Sequence, residues 1–269
     1  MPIQLLASDL DGTLVADLHN IPARTQAAIK AAVERGVHVV IATGREYGVT
    51  KKFIEMLTLD TPIICYQGAM IYEPKSGQTI GNQGFPVSLA HKLIDVARAR
   101  KLSLNLYIDH KAYTEYLSAE GRALFGSLGT PLIEVKDLKA AIIASPTKGL
   151  IFHPAEEAGA VAAELKAVLG GSLSVFRSLD TLIEITALNV SKGYALATLA
   201  DHYHIPQAEV MAIGDQDNDI EMIAWAGLGV AMGNASEGVK AVADVIAPPL
   251  SEEGAAWAIE RFILDGEES

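Results

Sequence analysis

Two stretches of this chain alternate short apolar runs with amphipathic segments, and this alternation constrains the possible folds more than any other feature of the sequence. In the first stretch, apolar runs at residues 3–8 and 37–42 alternate with segments of helical spacing at 21–35 and 48–57. Gly36 stands where a glycine commonly ends a helix. Alternating strands and helices favour a parallel sheet with helices on both faces, so we predict an α/β fold.

The second stretch of alternation follows a long segment of different character. Between residues 84 and 186 we predict helices at 88–100 and 155–169, together with strands near 102–108, 112–116, 148–152, 173–177 and 181–185. This strand-rich segment is typical of an α+β domain. From residue 191 the alternation returns. We therefore predict a discontinuous core domain formed by residues 1–83 and 187–269, with an inserted α+β domain at 84–186.

The net charge and the cysteine content of the chain limit the kinds of molecule that it could bind and the compartment in which it could function. The 269 residues carry a formal net charge of −12, which repels polyanions, so we expect no nucleic-acid partner. The single cysteine, Cys65, cannot form an intrachain disulfide and is compatible with a reducing compartment. The first residues show neither a basic leader nor an apolar segment of membrane-spanning length. We expect a cytoplasmic protein without a membrane partner, and no feature indicates an oligomeric state.

Two carboxylates follow the first predicted strand, in the run Asp9-Leu10-Asp11-Gly12-Thr13. Gly12 allows the backbone to turn sharply, so that Asp9 and Asp11 can share one pocket. One carboxylate could attack phosphorus, and the other could protonate the departing alkoxide and later activate water. The alternative is an acidic turn in which Asp11 begins a helix.

The second polar cluster, Thr43-Gly44-Arg45, follows the predicted strand at 37–42. The hydroxyl of Thr43 and the backbone N–H of Gly44 could donate to phosphate oxygens. Thr43 could instead cap the next helix. Arg45 could hold substrate or lie on the surface, and the sequence leaves these two interpretations open.

A cation is expected at Lys192, in the run Val190-Ser191-Lys192-Gly193. It lies at the start of a predicted helix, where its ammonium group could reach the edge of the sheet. There it would neutralise phosphate charge and reduce the repulsion between Asp9 and an anionic substrate. An ordinary exposed lysine is the alternative.

The fourth cluster, Gly214-Asp215-Gln216-Asp217-Asn218-Asp219, follows the predicted strand at 210–213. Mg²⁺ prefers oxygen ligands and commonly takes one or two protein carboxylates. Asp215 is therefore expected to bind the ion together with Asp9. Asn218 could donate to phosphate, and Asp219 could orient Lys192 or a metal-bound water. The alternative is an acidic loop that caps the following helix.

These four motifs, in this order and with a long insertion between the second and third, resemble those of the haloacid dehalogenase superfamily of phosphatases. The chain is most similar to the Cof-like, class IIB branch of that superfamily. The resemblance rests on Asp-Leu-Asp-Gly-Thr-Leu, Ala-Thr-Gly-Arg, Val-Ser-Lys-Gly and Gly-Asp-Gln-Asp-Asn-Asp, and it covers essentially the whole chain. It implies a Rossmann-like core and a mobile α+β cap that selects the substrate.

The resemblance also implies roles for individual residues. Asp9 would be the nucleophile and Asp11 the general acid/base. Mg²⁺ would be bound by Asp9, the backbone carbonyl of Asp11 and Asp215. The phosphoryl group would be held by the Leu10 backbone, Thr43, Gly44, Lys192 and Asn218. One position departs from the branch, because Gln67-Gly68 stands where Asn-Gly is common after the third core strand, and the longer side chain of Gln67 moves the amide.

The predicted function is Mg²⁺-dependent hydrolysis of a small phosphorylated metabolite, with sugar phosphates favoured, through an aspartyl-phosphate intermediate. A phosphomutase of the same superfamily is the first alternative, because it shares the catalytic pair. A non-catalytic protein that binds a phosphorylated ligand is the second, although such a protein needs no nucleophile.

Overall fold

The computed structural model of the chain describes residues 2–16, 20–128 and 130–266. The chain forms two compact units. Unit 1 comprises the separate segments Met1–Gly81 and Ser191–Ser269, and unit 2 comprises Asn82–Val190. The division falls within a few residues of the breaks in the sequence pattern.

The first segment of unit 1 alternates strands and helices before ending in a separate three-stranded sheet. Its elements are β1 (Leu5–Ser8), α1 (Ala23–Glu34), β2 (His38–Ile41), α2 (Tyr47–Leu57), β3 (Ile63–Cys65), β4 (Met70–Glu73) and β5 (Gln78–Asn82). All four residues of β1 are buried, as expected for a strand covered on both faces. Helix α1 buries Ala28, Ile29 and Ala32, and its carboxyl end is followed by Gly36 with φ +85°.

Unit 2 is built around a six-stranded sheet in the order β10-β11-β9-β6-β7-β8. Its elements are α3 (Val87–Arg100), β6 (Ser103–Ile108), β7 (Lys111–Thr114), α4 (Ala119–Leu128), β8 (Leu132–Glu134), α5 (Leu138–Ala141), β9 (Lys148–Phe152), α6 (Ala155–Leu169), β10 (Ser174–Leu179) and β11 (Leu182–Thr186). Helices α3 and α6 contribute Leu93, Ile94 and Leu165 to a core shared with Leu106 and Ile183 of the sheet. Unit 2 therefore has its own hydrophobic core.

The second segment of unit 1 completes the first sheet. It contains α7 (Lys192–His202), β12 (Val210–Gly214), α8 (Ile220–Trp225), β13 (Leu228–Ala231), α9 (Glu237–Lys240), β14 (Val245–Ile246) and α10 (Gly254–Ile259). The five strands lie in the order β14-β13-β12-β1-β2, and all pairs are parallel. The predicted α/β fold with a parallel sheet is confirmed.

Among the described residues, three α-helices were not predicted from the sequence. Helix α4 contains Gly121 and Gly126, which lower helix propensity and obscure the pattern. Helix α5 has only four residues, and its amino end is capped by the side chain of Asp137. Helix α10 is rich in alanine, whose small side chain gives a weak periodic signal. Among the described helices, none has the length and apolar character needed to cross a membrane.

Candidate active site

The register of the parallel sheet brings three of the four polar clusters to one edge. Ser8, the last residue of β1, lies opposite Ile41 of β2 and Ile213 of β12. The three strands therefore end within one residue of the same level, and the clusters that begin with Asp9, Thr43 and Gly214 lie at these strand ends. The sequence predicted this convergence because the carboxyl ends of parallel strands share one edge.

Asp9 and Asp11 differ in their exposure to solvent. The Asp9 side chain is 6% exposed, whereas that of Asp11 is 52% exposed. Between and after them the chain makes a tight turn in which Leu14 N and Val15 N both donate to Leu10 O. The buried carboxylate is thus fixed in the interior, and the second one remains open to a ligand.

Gly12 is required at this turn for two reasons. Its φ of +84° lies in the left-handed region, which favours glycine. A Cβ on Gly12 would also lie 2.2 Å from Oδ2 of Asp215, closer than any contact allows. The glycine therefore lets the first and fourth clusters approach each other.

Hydrogen bonds fix the Asp215 carboxylate at the end of β12. Oδ1 accepts from Thr13 Oγ1 at 2.9 Å, and Oδ2 accepts from Gln216 Nε2 at 2.9 Å. Asn234 Nδ2 lies 3.5 Å from the same Oδ2 and donates to Gly12 O at 2.9 Å. Thr13, Gln216 and Asn234 therefore hold this carboxylate in place, a role that no pattern in the sequence indicates.

Lys192 is a buried cation between two carboxylates. Its Nζ donates to Asp9 Oδ1 at 2.6 Å and to Asp219 Oδ1 at 2.7 Å, and its side chain is only 1% exposed. The interpretation of Lys192 as an ordinary exposed lysine is therefore wrong. It is held at the start of α7, where the side chain of Ser191 caps the helix by accepting from Tyr194 N.

Asp219 both contacts Lys192 and caps the turn before α8, which the sequence offered as alternative roles. Its Oδ2 accepts from the backbone N–H groups of Asp215 and Gln216 at 2.9 and 3.0 Å, which caps the turn before α8. Its Oδ1 accepts from Lys192. The residue therefore orients Lys192 while it stabilises the loop.

Burial changes the protonation equilibria of these groups. Desolvation raises the pKa of Asp9 to about 8, with Lys192 opposing the shift and Asp219 adding to it. Burial lowers the pKa of Lys192, but Asp219 and Asp9 outweigh this effect and hold it above its usual range. Desolvation also raises the pKa of Asp215. The pocket would thus favour a further cation, which would stabilise both carboxylates in their ionised forms.

The donor set fits a divalent metal ion that prefers oxygen. Asp9, Asp215 and Asp219 are buried, and each offers a carboxylate oxygen within 4.8 Å of the others. Asp219 already uses both oxygens for Lys192 and backbone N–H groups. Asp9 and Asp215 directly follow the neighbouring strands β1 and β12, which places them to hold a metal ion, and hard oxygen ligands suit Mg²⁺.

Arg45 forms an ion pair with the second carboxylate. Its Nε donates to Asp11 Oδ2 at 2.8 Å, and its Nη2 lies against Asp11 Oδ1. Its side chain is 14% exposed, so Arg45 does not simply lie on the surface. The bidentate contact fixes the orientation of the Asp11 carboxyl group.

Thr43 is fully buried, and its Oγ1 accepts from Arg45 N at 3.1 Å. Because α2 begins at Tyr47, Thr43 shapes the turn before the helix and is not its cap.

Asn218, in the fourth cluster, donates from Nδ2 to Gln67 Oε1 at 2.7 Å. This contact joins residues 151 positions apart, and no local pattern of the sequence indicates it.

The sequence of this chain matches the model of a known protein family over residues 6–259, and that family is described as haloacid dehalogenase-like hydrolases. The chain belongs to this family. A phosphatase of Bacillus subtilis named for 5-amino-6-(5-phospho-D-ribitylamino)uracil is 28% identical over 262 residues, covering 96% of this chain and 97% of the relative.

Two solved structures are similar to this hydrolase over nearly their whole length. A haloacid dehalogenase-like hydrolase from Bacteroides thetaiotaomicron has a TM-score of 0.87 and 31% identity, with 97% of this chain and 99% of the other covered. A structure described as a subclass IIB sugar phosphatase has a TM-score of 0.78 and 25% identity, with coverage of 96% and 98%. The predicted membership of the Cof-like, class IIB phosphatases is confirmed, and the chain is an enzyme of the phosphatase class.

Proposed function

We propose that this hydrolase is a Mg²⁺-dependent phosphomonoesterase of small phosphorylated metabolites and that sugar phosphates are its preferred substrates. The observation that carries the proposal is the pair of hydrogen bonds by which the buried Lys192 bridges Asp9 and Asp219, beside Asp215. This arrangement holds a carboxylate nucleophile next to a cation that can accept phosphoryl charge. The relatives described as a ribitylaminouracil phosphatase and a sugar phosphatase support the substrate class.

In the proposed reaction, a carboxylate oxygen of Asp9 attacks phosphorus while the bond to the ester oxygen breaks. Asp11 gives its proton to the departing alkoxide, so an alcohol and an aspartyl-phosphate are formed. Asp11 then takes a proton from water, which attacks the aspartyl-phosphate and releases inorganic phosphate. Arg45 orients the Asp11 carboxylate, which is the form of Asp11 that takes the proton from water in the second step.

The phosphoryl oxygens would be held by donors from all four clusters: the Leu10 backbone, Thr43, Gly44, Lys192 and Asn218. Mg²⁺ bound by Asp9, Asp215 and the Asp11 carbonyl would neutralise charge on the phosphoryl group. We also propose that unit 2 selects the substrate, as the family resemblance implies. A cytoplasmic location is part of the proposal and is supported by the single buried cysteine.

A panel of phosphate esters tests the proposal. Purified enzyme with Mg²⁺ should release inorganic phosphate from one or more sugar phosphates, and EDTA should abolish the release. An isomerised sugar phosphate without net phosphate release would instead identify a phosphomutase. Binding of an ester without turnover would identify a non-catalytic protein.

Asp9→Asn tests the nucleophile. We expect turnover to fall below detection because the amide cannot form the acyl phosphate, while circular dichroism shows that the fold is retained. Asp60→Asn is the matched control, since the Asp60 side chain is 79% exposed in a surface ion pair with Lys75. Wild-type turnover in Asp9→Asn would refute the assignment.

A further inference from the structure

Gln67 lies between two of the proposed phosphate-binding residues, although no role is assigned to it so far. Its Oε1 accepts a hydrogen bond from Asn218 Nδ2 at 2.7 Å. Its Nε2 lies over Gly44, because a Cβ built on that glycine would be only 2.3 Å from this nitrogen. The carboxamide therefore connects the second cluster to the fourth.

The backbone holds Gln67 in this place at a conformational cost. Tyr66 and Gln67 have φ values of 53° and 61°, in the left-handed region of backbone conformation that residues other than glycine rarely adopt. Backbone bonds stabilise the turn, since Tyr66 N donates to Arg45 O and Gln67 N donates to Thr43 O, each at 3.1 Å. Strained residues of this kind are often found at functional sites.

The hydrogen-bonding capacity of Gln67 is only partly used. A carboxamide offers one oxygen acceptor and two N–H donors. The oxygen accepts a hydrogen bond from Asn218, but no acceptor for Gln67 Nε2 is found within residues 2–16, 20–128 and 130–266. This nitrogen is beside the backbone of Gly44, whose N–H is itself a proposed phosphate donor.

We propose that Gln67 is a further phosphoryl-binding residue, which donates from Nε2 to a phosphoryl oxygen and keeps the Asn218 amide directed at the same group. The inference rests on the proposed phosphatase function. It also explains why residue 44 is glycine, because any larger residue would displace the Gln67 amide. Asn218 is exposed and needs such a partner to hold one orientation.

Double-mutant cycles test the coupling. We expect Gln67→Ala to lower kcat/KM for p-nitrophenyl phosphate about 10- to 100-fold, the effect of losing hydrogen bonds to a charged group. Asn218→Ala should have a similar effect, and the double variant should be no more than about twofold worse than the poorer single variant, since the residues act as a unit. Wild-type kcat/KM in Gln67→Ala, or fully additive losses, would overturn the proposal.

The Gly44 contact gives a second and independent cycle. Gly44→Ala retains the backbone N–H, but its Cβ must displace the Gln67 amide, so it should lower kcat/KM as much as Gln67→Ala does. Combining Gly44→Ala with Gln67→Ala should cause no further loss, because the displaced group is already absent. A combined variant about tenfold or more below Gln67→Ala would contradict the assigned contact.

Folding and phosphate binding are measured separately from turnover. Gln67→Asn keeps a residue that tolerates the left-handed conformation, but its shorter side chain should not reach Asn218. We expect its Tm to match that of the wild type while its Kd for inorganic phosphate, measured by calorimetry with Mg²⁺, rises about tenfold. An unchanged Kd would reject the role.

The exposed Gln78 provides the matched control, and Gln78→Ala should retain the wild-type Kd and kcat/KM. If the wild-type enzyme releases phosphate from no ester, the phosphatase proposal fails, and the calorimetric Kd values still decide the role of Gln67.

Discussion

Lys192 is the residue on which the charge balance of the site depends. Its ammonium group is the counter-ion of both Asp9 and Asp219, and all three side chains are buried. Removing one partner of a buried ion pair leaves an uncompensated charge in a medium that solvates it poorly. The same side chain therefore contributes to stability and to the proposed binding of phosphate.

Lys192→Met should be strongly destabilising because it leaves the buried carboxyl groups of Asp9 and Asp219 without the cation that donates a hydrogen bond to each. We expect the free energy of unfolding to fall by about 3–5 kcal/mol in urea titrations, with loss of turnover. Lys30→Met is the control, since the Lys30 side chain is 76% exposed, and its effect should stay within about 0.5 kcal/mol. If Lys192→Met changed the free energy of unfolding as little as Lys30→Met does, Lys192 would not form buried ion pairs with Asp9 and Asp219 in solution.

Asn234 acts on the proposed metal site through Asp215. It donates to Gly12 O and towards Asp215 Oδ2, while its Oδ1 accepts from Leu250 N at 2.8 Å. Asn234→Ala should raise the Mg²⁺ concentration for half-maximal activity about 10- to 100-fold, as for other residues that orient a metal ligand. Mg²⁺ titrations of activity and of Tm measure this shift, and unchanged titrations would exclude the role.

The residues proposed to carry out the chemistry stand in motifs that are recognisable in the sequence, whereas the residues that position them do not. Asp9, Asp11, Lys192 and Asp215 follow strands or begin a helix within recognisable motifs. Gln67 reaches Asn218 through a turn that no local propensity predicts. Side-chain partners of this kind depend on distances that the folded chain alone defines.

At the scale of elements, strand ends and helix starts were predicted to within a few residues. Helices α3 and α6 were expected at 88–100 and 155–169 and are found at Val87–Arg100 and Ala155–Leu169. Their amphipathic spacing carries that information. Short elements such as β8 and α5 escaped prediction because three or four residues hold no period, and tertiary contacts stabilise them.

A charge network joins three elements of unit 2 and predicts a pH dependence. Arg98 of α3 donates to Glu115, after β7, at 3.0 Å and to Asp137, before α5, at 2.7 Å. These bonds hold the pKa values of Glu115 and Asp137 below their usual range. Near pH 4 the unfolded chain therefore binds more protons than the folded chain does. The network stabilises the fold at pH values above the ordinary carboxyl pKa of about 4, and this stabilisation is lost as the pH falls through the lowered pKa values of Glu115 and Asp137.

Arg98→Met should accordingly destabilise the protein at pH 7 and have little effect at the acid end of the range. Urea unfolding of both proteins across acid to neutral pH, followed by a probe in unit 2, measures the difference. Lys92→Met, an exposed change on the same helix, should show no such pH dependence. A difference that stays constant with pH would exclude the ion pairs as its cause.

At the scale of the whole molecule, the chain leaves unit 1 and returns to it. Strand β1 lies between β2, from its own segment, and β12, more than 200 residues later. Unit 1 therefore requires both segments to complete its sheet. Unit 2, in contrast, is continuous and buries its own core.

This difference predicts the behaviour of fragments. Asn82–Val190 expressed alone should unfold cooperatively, and Leu93→Ala in its core should lower the free energy of unfolding by about 2–5 kcal/mol. Residues 1–81 alone should remain unfolded because the strand beside β1 is missing. Amide chemical-shift dispersion in NMR spectra distinguishes these states, and a dispersed spectrum for residues 1–81 would contradict the argument.

The sequence by itself determined the parallel α/β core and the residue types at each strand end. These properties follow from hydrophobic periodicity and from motifs of a few adjacent residues. Only the tertiary structure decided the pairs that join distant segments, such as Thr13 with Asp215, Arg45 with Asp11, and Gln67 with Asn218. Hydrogen bonds act over about 3 Å, so their partners depend on how the turns after each strand place the side chains in space.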